Sequence, residues 1–186
     1  MLNKLLVKYR SFSLEVGRDF EAIIAPLMAE KALQELDHCL HHFNYTRLLH
    51  SYQVARWSYF AARLLGWNAL AVARAGLLHD LFLRHPGESG FRLIFSHPKV
   101  ALHNARKLCD LTPLEEDIIL KHMWLMTFSL PRYKESYLVT FMDKCCAAYE
   151  FGLCIFYPTR IFGYYIRGTR KALERPPIRG YYSPLL

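Results

Sequence analysis

The sequence predicts an all-α fold, and three observations carry that expectation. Apolar residues recur three and four apart through most of residues 1–150, the period of a helix face. No segment reads convincingly as a strand, and there is no internal repeat or low-complexity tract. Helix start and stop signals stand where the periodic segments begin and end. With 186 residues, 53% apolar and 22% charged, the chain can fold around a sizeable core of its own.

The elements follow in order. Residues 19–43, DFEAIIAPLMAEKALQELDHCLHHF, carry the helical spacing. Residues 48–67, LLHSYQVARWSYFAARLLGW, carry it too, with Gly66 placed to stop the helix. Residues 68–82, NALAVARAGLLHDLF, are apolar nearly all round, as a central buried helix is. Pro86, Gly87 and Gly90 break the pattern, so 84–96 read as a loop and helix resumes over 97–111. A further helix opens at residue 112, with Thr112 as cap, Pro113 in the first turn and Glu115 completing a capping box. It is expected to run to Phe128. After the break at Pro131 to Tyr133, a last helix covers 136–151. Residues 157–186 mix aromatics, prolines, glycines and arginines, as a tail packed over the core or a basic patch for a phosphate-bearing partner would.

Composition narrows the partners. A formal charge of +8 favours acidic ones: phosphorylated metabolites, nucleic acid or an anionic membrane surface. Five cysteines without a CxxC pair read as reduced thiols of a cytoplasmic protein and exclude a zinc ribbon. Charges interrupt the N-terminal stretch, which therefore reads as no signal peptide. No run of about 18 apolar residues is present to cross a membrane.

The chemistry lies in polar residues placed on core-facing sides of helices. His50 shares a face with Val54, Trp57 and Ala61; His122 with Ile118 and Ile119; Asp143 with Val139, Cys146 and Ala147. His79 and Asp80 project about 100° apart on a helix and can flank one site. Burying a carboxylate costs several kcal/mol unless something compensates it, and a bound cation would do so. Imidazole and carboxylate are ligands of zinc, iron and manganese. A further ligand comes from residues 96–108: His97 shares an apolar face with Ala101, Ala105 and Leu108, whereas His103 sits with Arg106, Lys107 and Asp110 on a solvated one. His97 is therefore read as inward and His103 as a surface residue. His38, His41 and His42 read as solvated or capping, and His85 as a residue at the mouth of a site.

His50 in RLLHSYQVA, the doublet His79–Asp80 in AGLLHDLF and Asp143 in FMDKCCA together resemble the motif set of the HD superfamily of metal-dependent phosphohydrolases. The resemblance covers roughly residues 45–150. His97 in HPKVA and His122 in ILKHMW match the two extra histidines of a dinuclear subset of that family. The arrangement is most similar to the bacterial HD-type symmetrical diadenosine tetraphosphate hydrolases. Those carry H-G-P and H-T where this chain has HPK and HMW, which leaves the substrate open and points to a separate branch.

The resemblance implies an HD-domain helical bundle over 45–150, with residues 1–44 packing on it and 151–186 as a basic aromatic extension. It implies two divalent ions, iron or manganese foremost and zinc as a further choice. His50, His79, Asp80 and Asp143 would hold the first, and His97 and His122 would complete the second, with Asp80 bridging. The implied reaction is hydrolysis of a phosphoester or phosphoanhydride of a nucleotide or dinucleotide. Asp80 and Lys144 would serve catalysis, and Arg47, Arg84, His85 and Lys144 would bind substrate phosphate, with Arg92 flanking the same loop. A buried ion pair is the competing role for Arg47. Two other activities remain open at this level. One is a di-iron oxygenase on the same ligand set. The other is a nucleic-acid binding module with a structural metal site.

Overall fold

The computed structural model describes residues 2–39, 46–83 and 91–156. Arg84, His85, His41, His42 and the extension from residue 157 lie outside the described residues, as does the side chain of Arg92.

Helix α1 spans Leu2–Met28 and the one-turn α2 spans Lys31–Gln34, followed by a 3-10 turn over Glu35–His38. Helix α3 (Arg47–Leu65), α4 (Ala69–Leu78), α5 (Phe91–Leu108), α6 (Pro113–Lys121), the one-turn α7 (Trp124–Thr127) and α8 (Lys134–Phe156) complete the order. No strand occurs among the described residues, and the fold is all-α.

The local signals act where the sequence places them. Thr46 accepts a hydrogen bond from the Leu49 amide at 3.2 Å and caps α3, which sets His50 in the first turns of that helix. Gly66 ends α3 in the left-handed region at φ 66°, where a side chain would be strained. Thr112 and Glu115 form the capping box of α6, with Pro113 at its start.

Four elements differ from the expectation. The segment 19–43 is divided: α1 ends at Met28, and the one-turn α2 and a 3-10 turn follow it. Helix α5 begins at Phe91 and carries Pro98 within it, so 91–96 are helix rather than loop. Pro98 removes one amide donor there, and the burial of His97, Ala101 and Ala105 on one face compensates. The expected helix over 112–128 is broken: α6 stops at Lys121, and α7 resumes at Trp124 and ends at Phe128 with a left-handed φ of 55°. Helix α4 ends at Leu78, so the His79–Asp80 doublet is its terminating turn and not part of its barrel.

One core runs through these elements. Val16, Phe20 and Ile24 of α1, Leu33, Leu36, Val54, Tyr59, Val72, Leu77, Ile118, Ile119 and Val139 are all essentially sealed from solvent. Each such large side chain contributes roughly 1.5–3 kcal/mol by its burial. Residues 16–36 thus share the core of residues 46–150. Helices α3 and α4 pack most extensively. The α3 face of Ser51, Ala55, Ser58 and Ala62 is fully buried, and Gly76 of α4 lies directly over Ala55. A Cβ at Gly76 would fall 2.9 Å from the Ala55 Cα, so glycine is required by the approach of the two backbones. That approach brings the start of α3 and the end of α4 together, and with them His50 and His79.

Candidate metal centre

Each histidine is aimed by its own local structure. His79 and His122 are the C-terminal cap residues of α4 and α6. The last carbonyls of a helix lack intrahelical donors. In both cases the ring Nδ1 takes the carbonyl three residues back: Gly76 at 2.7 Å for His79 and Ile119 at 2.8 Å for His122. That bond puts the proton on Nδ1 and leaves Nε2 as the lone-pair nitrogen facing inward. His50 turns its Nε2 to the same space differently, with Nδ1 2.8 Å from Glu150 Oε1 and Nε2 3.0 Å from Asp143 Oδ1.

The inward atoms form two groups around two carboxylate oxygens. Asp143 Oδ1 lies 3.0 Å from His50 Nε2 and 3.8 Å from His79 Nε2. Asp80 Oδ1 lies 3.5 Å from His97 Nε2 and 3.7 Å from His122 Nε2. His97 Nε2 and His122 Nε2 are 2.9 Å apart. Ligands about 2.1 Å from a common ion are about 3.0 Å apart at right angles and about 3.4 Å apart at tetrahedral angles. The separations run from 2.9 to 3.8 Å, from that range to a few tenths of an ångström beyond it, and His50–His79–Asp143 and His79–Asp80–His122 are each compact enough to hold an ion. The donor set therefore fits divalent metals that take nitrogen and oxygen.

The elements around the cluster fix the backbone that follows the doublet. The Arg47 guanidinium donates to the Phe82 carbonyl at 2.6 Å, lies 3.7 Å from the centre of the Phe82 ring, and places Nε 3.8 Å from Asp80 Oδ2. The Phe82 ring also neighbours His97, 5.0 Å between centres. Asn104 of α5 donates to the Leu81 carbonyl at 2.9 Å. Arg47 is itself buried, which favours the ion-pair role over direct contact with substrate. Lys144 donates to Asp143 Oδ2 at 2.6 Å and is a third exposed.

Charge follows from these contacts. Burial pushes His50 down, but the hydrogen bonds to Asp143 and Glu150 outweigh it and raise the ring to about 10. Without a metal, the His50 cation therefore bridges two carboxylates. Burial lowers His79 and drives His122 down to about 3, so both are neutral donors. Burial would raise Asp143; the His50 hydrogen bond, with Lys144 beside it, holds it well below the usual carboxylate range.

Compared with known family models, curated proteins and solved structures, the chain matches none.

All six candidate ligands named from sequence thus meet in one place, and His103 is exposed on the outer face of α5. His38 is exposed as well. Trp57, expected to share the inward face of His50, is 58% exposed. Glu150 was missing from the reading of the sequence. Its signal is its spacing: it follows Asp143 by seven residues and Cys146 by four, on one face of α8.

Proposed function

We propose that this chain is a metal-dependent phosphohydrolase of the HD type, acting on a phosphoester or phosphoanhydride of a nucleotide or dinucleotide. One observation carries the reading: four imidazole Nε2 atoms and two aspartate oxygens converge at ligand spacing, in the order His50, His79–Asp80, His97, His122, Asp143. In this reading His50, His79 and Asp143 hold one divalent ion, and Asp80, His97 and His122 hold a second. Such ions supply positive charge for a phosphoryl oxygen and water of lowered pKa.

The chain's own residues supply the rest. His50, His79 and His122 are sealed, whereas Asp80, His97 and Asp143 keep 4%, 8% and 6% exposure, so a substrate arrives from their side. Lys144 stands on that side with its ammonium on Asp143. It is the described cation best placed to turn towards phosphate as charge builds in the transition state. Arg47 holds Phe82 and Asp80 in place from behind.

The test is metal analysis of protein purified without chelator, followed by a phosphoester screen, on the wild type and Asp80→Ala. About two equivalents of metal and hydrolysis, both lost in the variant, are expected. Hydrolysis that persists in metal-free Asp80→Ala would overturn the mechanism. Substrate-dependent oxygen uptake that requires iron, without hydrolysis, would replace it with an oxygenase.

A further inference from the structure

Glu150 is fully buried, one turn beyond Cys146, and only one of its oxygens is hydrogen-bonded among the described residues. A carboxylate in that position costs several kcal/mol on desolvation. Packing gives no reason for it, since an apolar residue would fill the same space. Among the described residues its hydrogen bond is with His50 Nδ1, at 2.8 Å.

The other two sealed histidines explain why a carboxylate is needed at this one. His79 and His122 stand at the C-terminal ends of helices, where a main-chain carbonyl three residues back is free to take the Nδ1 proton. His50 stands near the N-terminal end of α3, where the unsatisfied main-chain groups are amides, and its Nδ1 is 2.8 Å from the Glu150 carboxylate instead. An acceptor has to come from another element. Helix α8 provides it: Asp143 and Glu150, two turns apart on one face, approach the two nitrogens of the same ring.

We infer that Glu150 is the positioning residue of the His50 ligand. By accepting from Nδ1 it fixes the ring's rotation and tautomer so that Nε2 faces the metal, and it makes that nitrogen a stronger donor than a carbonyl partner would. The inference rests on the metal-centre reading. It assigns to Glu150 control of the ion held by His50, His79 and Asp143, because its hydrogen bond is to His50.

The experiment is calorimetric titration of manganese into chelator-treated full-length protein, with Co(II) absorption as a second readout. Wild type, Glu150→Gln, Glu150→Leu and His97→Ala are compared. Glutamine keeps an amide oxygen that can accept from Nδ1, and leucine does not. Glu150→Leu should weaken one of two uptake events about 10–100-fold and leave the other in place. Glu150→Gln should recover most of that loss. His97→Ala should remove the opposite event. Uptake in Glu150→Leu equal to wild type would overturn the inference and leave the metal centre standing, and so would equal weakening of both events. No uptake by the wild type would remove the metal centre, and Glu150's role with it. Thermal melts of the metal-free variants identify any that fail to fold, and in that case the glutamine variant alone decides: weakening of one event and not the other supports the inference, and unaltered or equally weakened events oppose it.

Discussion

Gly76→Ala separates the packing argument from ordinary helix propensity, because the two predict opposite signs. In an open helix, alanine for glycine stabilises by about 1 kcal/mol. Here the new methyl would stand 2.9 Å from the Ala55 Cα and 3.4 Å from its Cβ and amide nitrogen. The first distance is about 0.6 Å short of the ~3.5 Å inner edge of carbon–carbon contact. The atom it meets is main chain and cannot rotate away, so α3 and α4 must separate. Overpacking of this kind costs about 1–3 kcal/mol, and the propensity gain offsets part of it. A net loss of up to about 2 kcal/mol lowers the melting temperature by up to roughly 8 °C in a chain of this size. The same displacement moves His79 relative to His50, and metal ligation tolerates only about 0.2 Å. Weaker metal uptake should therefore accompany the lower melting temperature. A variant that melts higher than wild type and binds metal equally well would refute the packing argument.

Three other outcomes follow from the same contacts. The stability of chelated protein should peak near pH 6.5. Below that, unfolded His79 and His122 take up protons that the folded rings, held low by burial, refuse. Stability then falls by up to ~1.4 kcal/mol per pH unit for each ring. Above it, unfolded His50 gives up a proton that the folded ring, raised to about 10, keeps, so stability falls as pH climbs towards 10; urea melts from pH 4.5 to 9.5 check both arms, and a steady rise above pH 7 would contradict them. Arg47→Met should destabilise by about 3–5 kcal/mol by leaving buried Asp80 without its cation, and bound metal should restore part of that loss, read as a larger metal-induced shift in melting temperature than in wild type. Asp117→Ala should cost about 1.5–3 kcal/mol with metal affinity unchanged, because Asp117 accepts from the Arg132 amide and the Ser136 hydroxyl at the start of α8, far along that helix from Asp143.

The cluster of candidate ligands was legible in the sequence because helices repeat: a polar residue three or four from apolar ones must face the way they face. His97 and His103 show how far that rule reaches, since six residues on one helix sufficed to send one inward and the other to solvent. The rule fails at helix ends. His79 and His122 were read as ordinary barrel positions, yet each terminates its helix, and what aims the ring is a free carbonyl that only the ending creates. The break of the segment after Lys121 escaped notice for the same reason: Met123 to Thr127 continue the apolar pattern, and no proline or glycine announces the turn. Trp57 marks a different limit, because periodicity gives the direction of a side chain and not whether it is covered.

Glu150 joins these limits to the function. A glutamate late in an apolar helix reads from sequence as a solvated charge, and nothing nearby in the chain reveals the histidine a hundred residues earlier that receives it. Its burial becomes intelligible only when α3 is seen to present His50 from an amide-rich end, whereas α4 and α6 present theirs from carbonyl-rich ends. The direction of each helix therefore decides how its ligand is held. Two histidines are oriented by their own backbone and should tolerate changes elsewhere in the chain, while the third depends on one side chain of α8. Substitutions that shift α8 along its axis should accordingly disturb the His50–His79–Asp143 group before the Asp80–His97–His122 group, since both Asp143 and Glu150 travel with that helix and neither Asp80 nor His97 does.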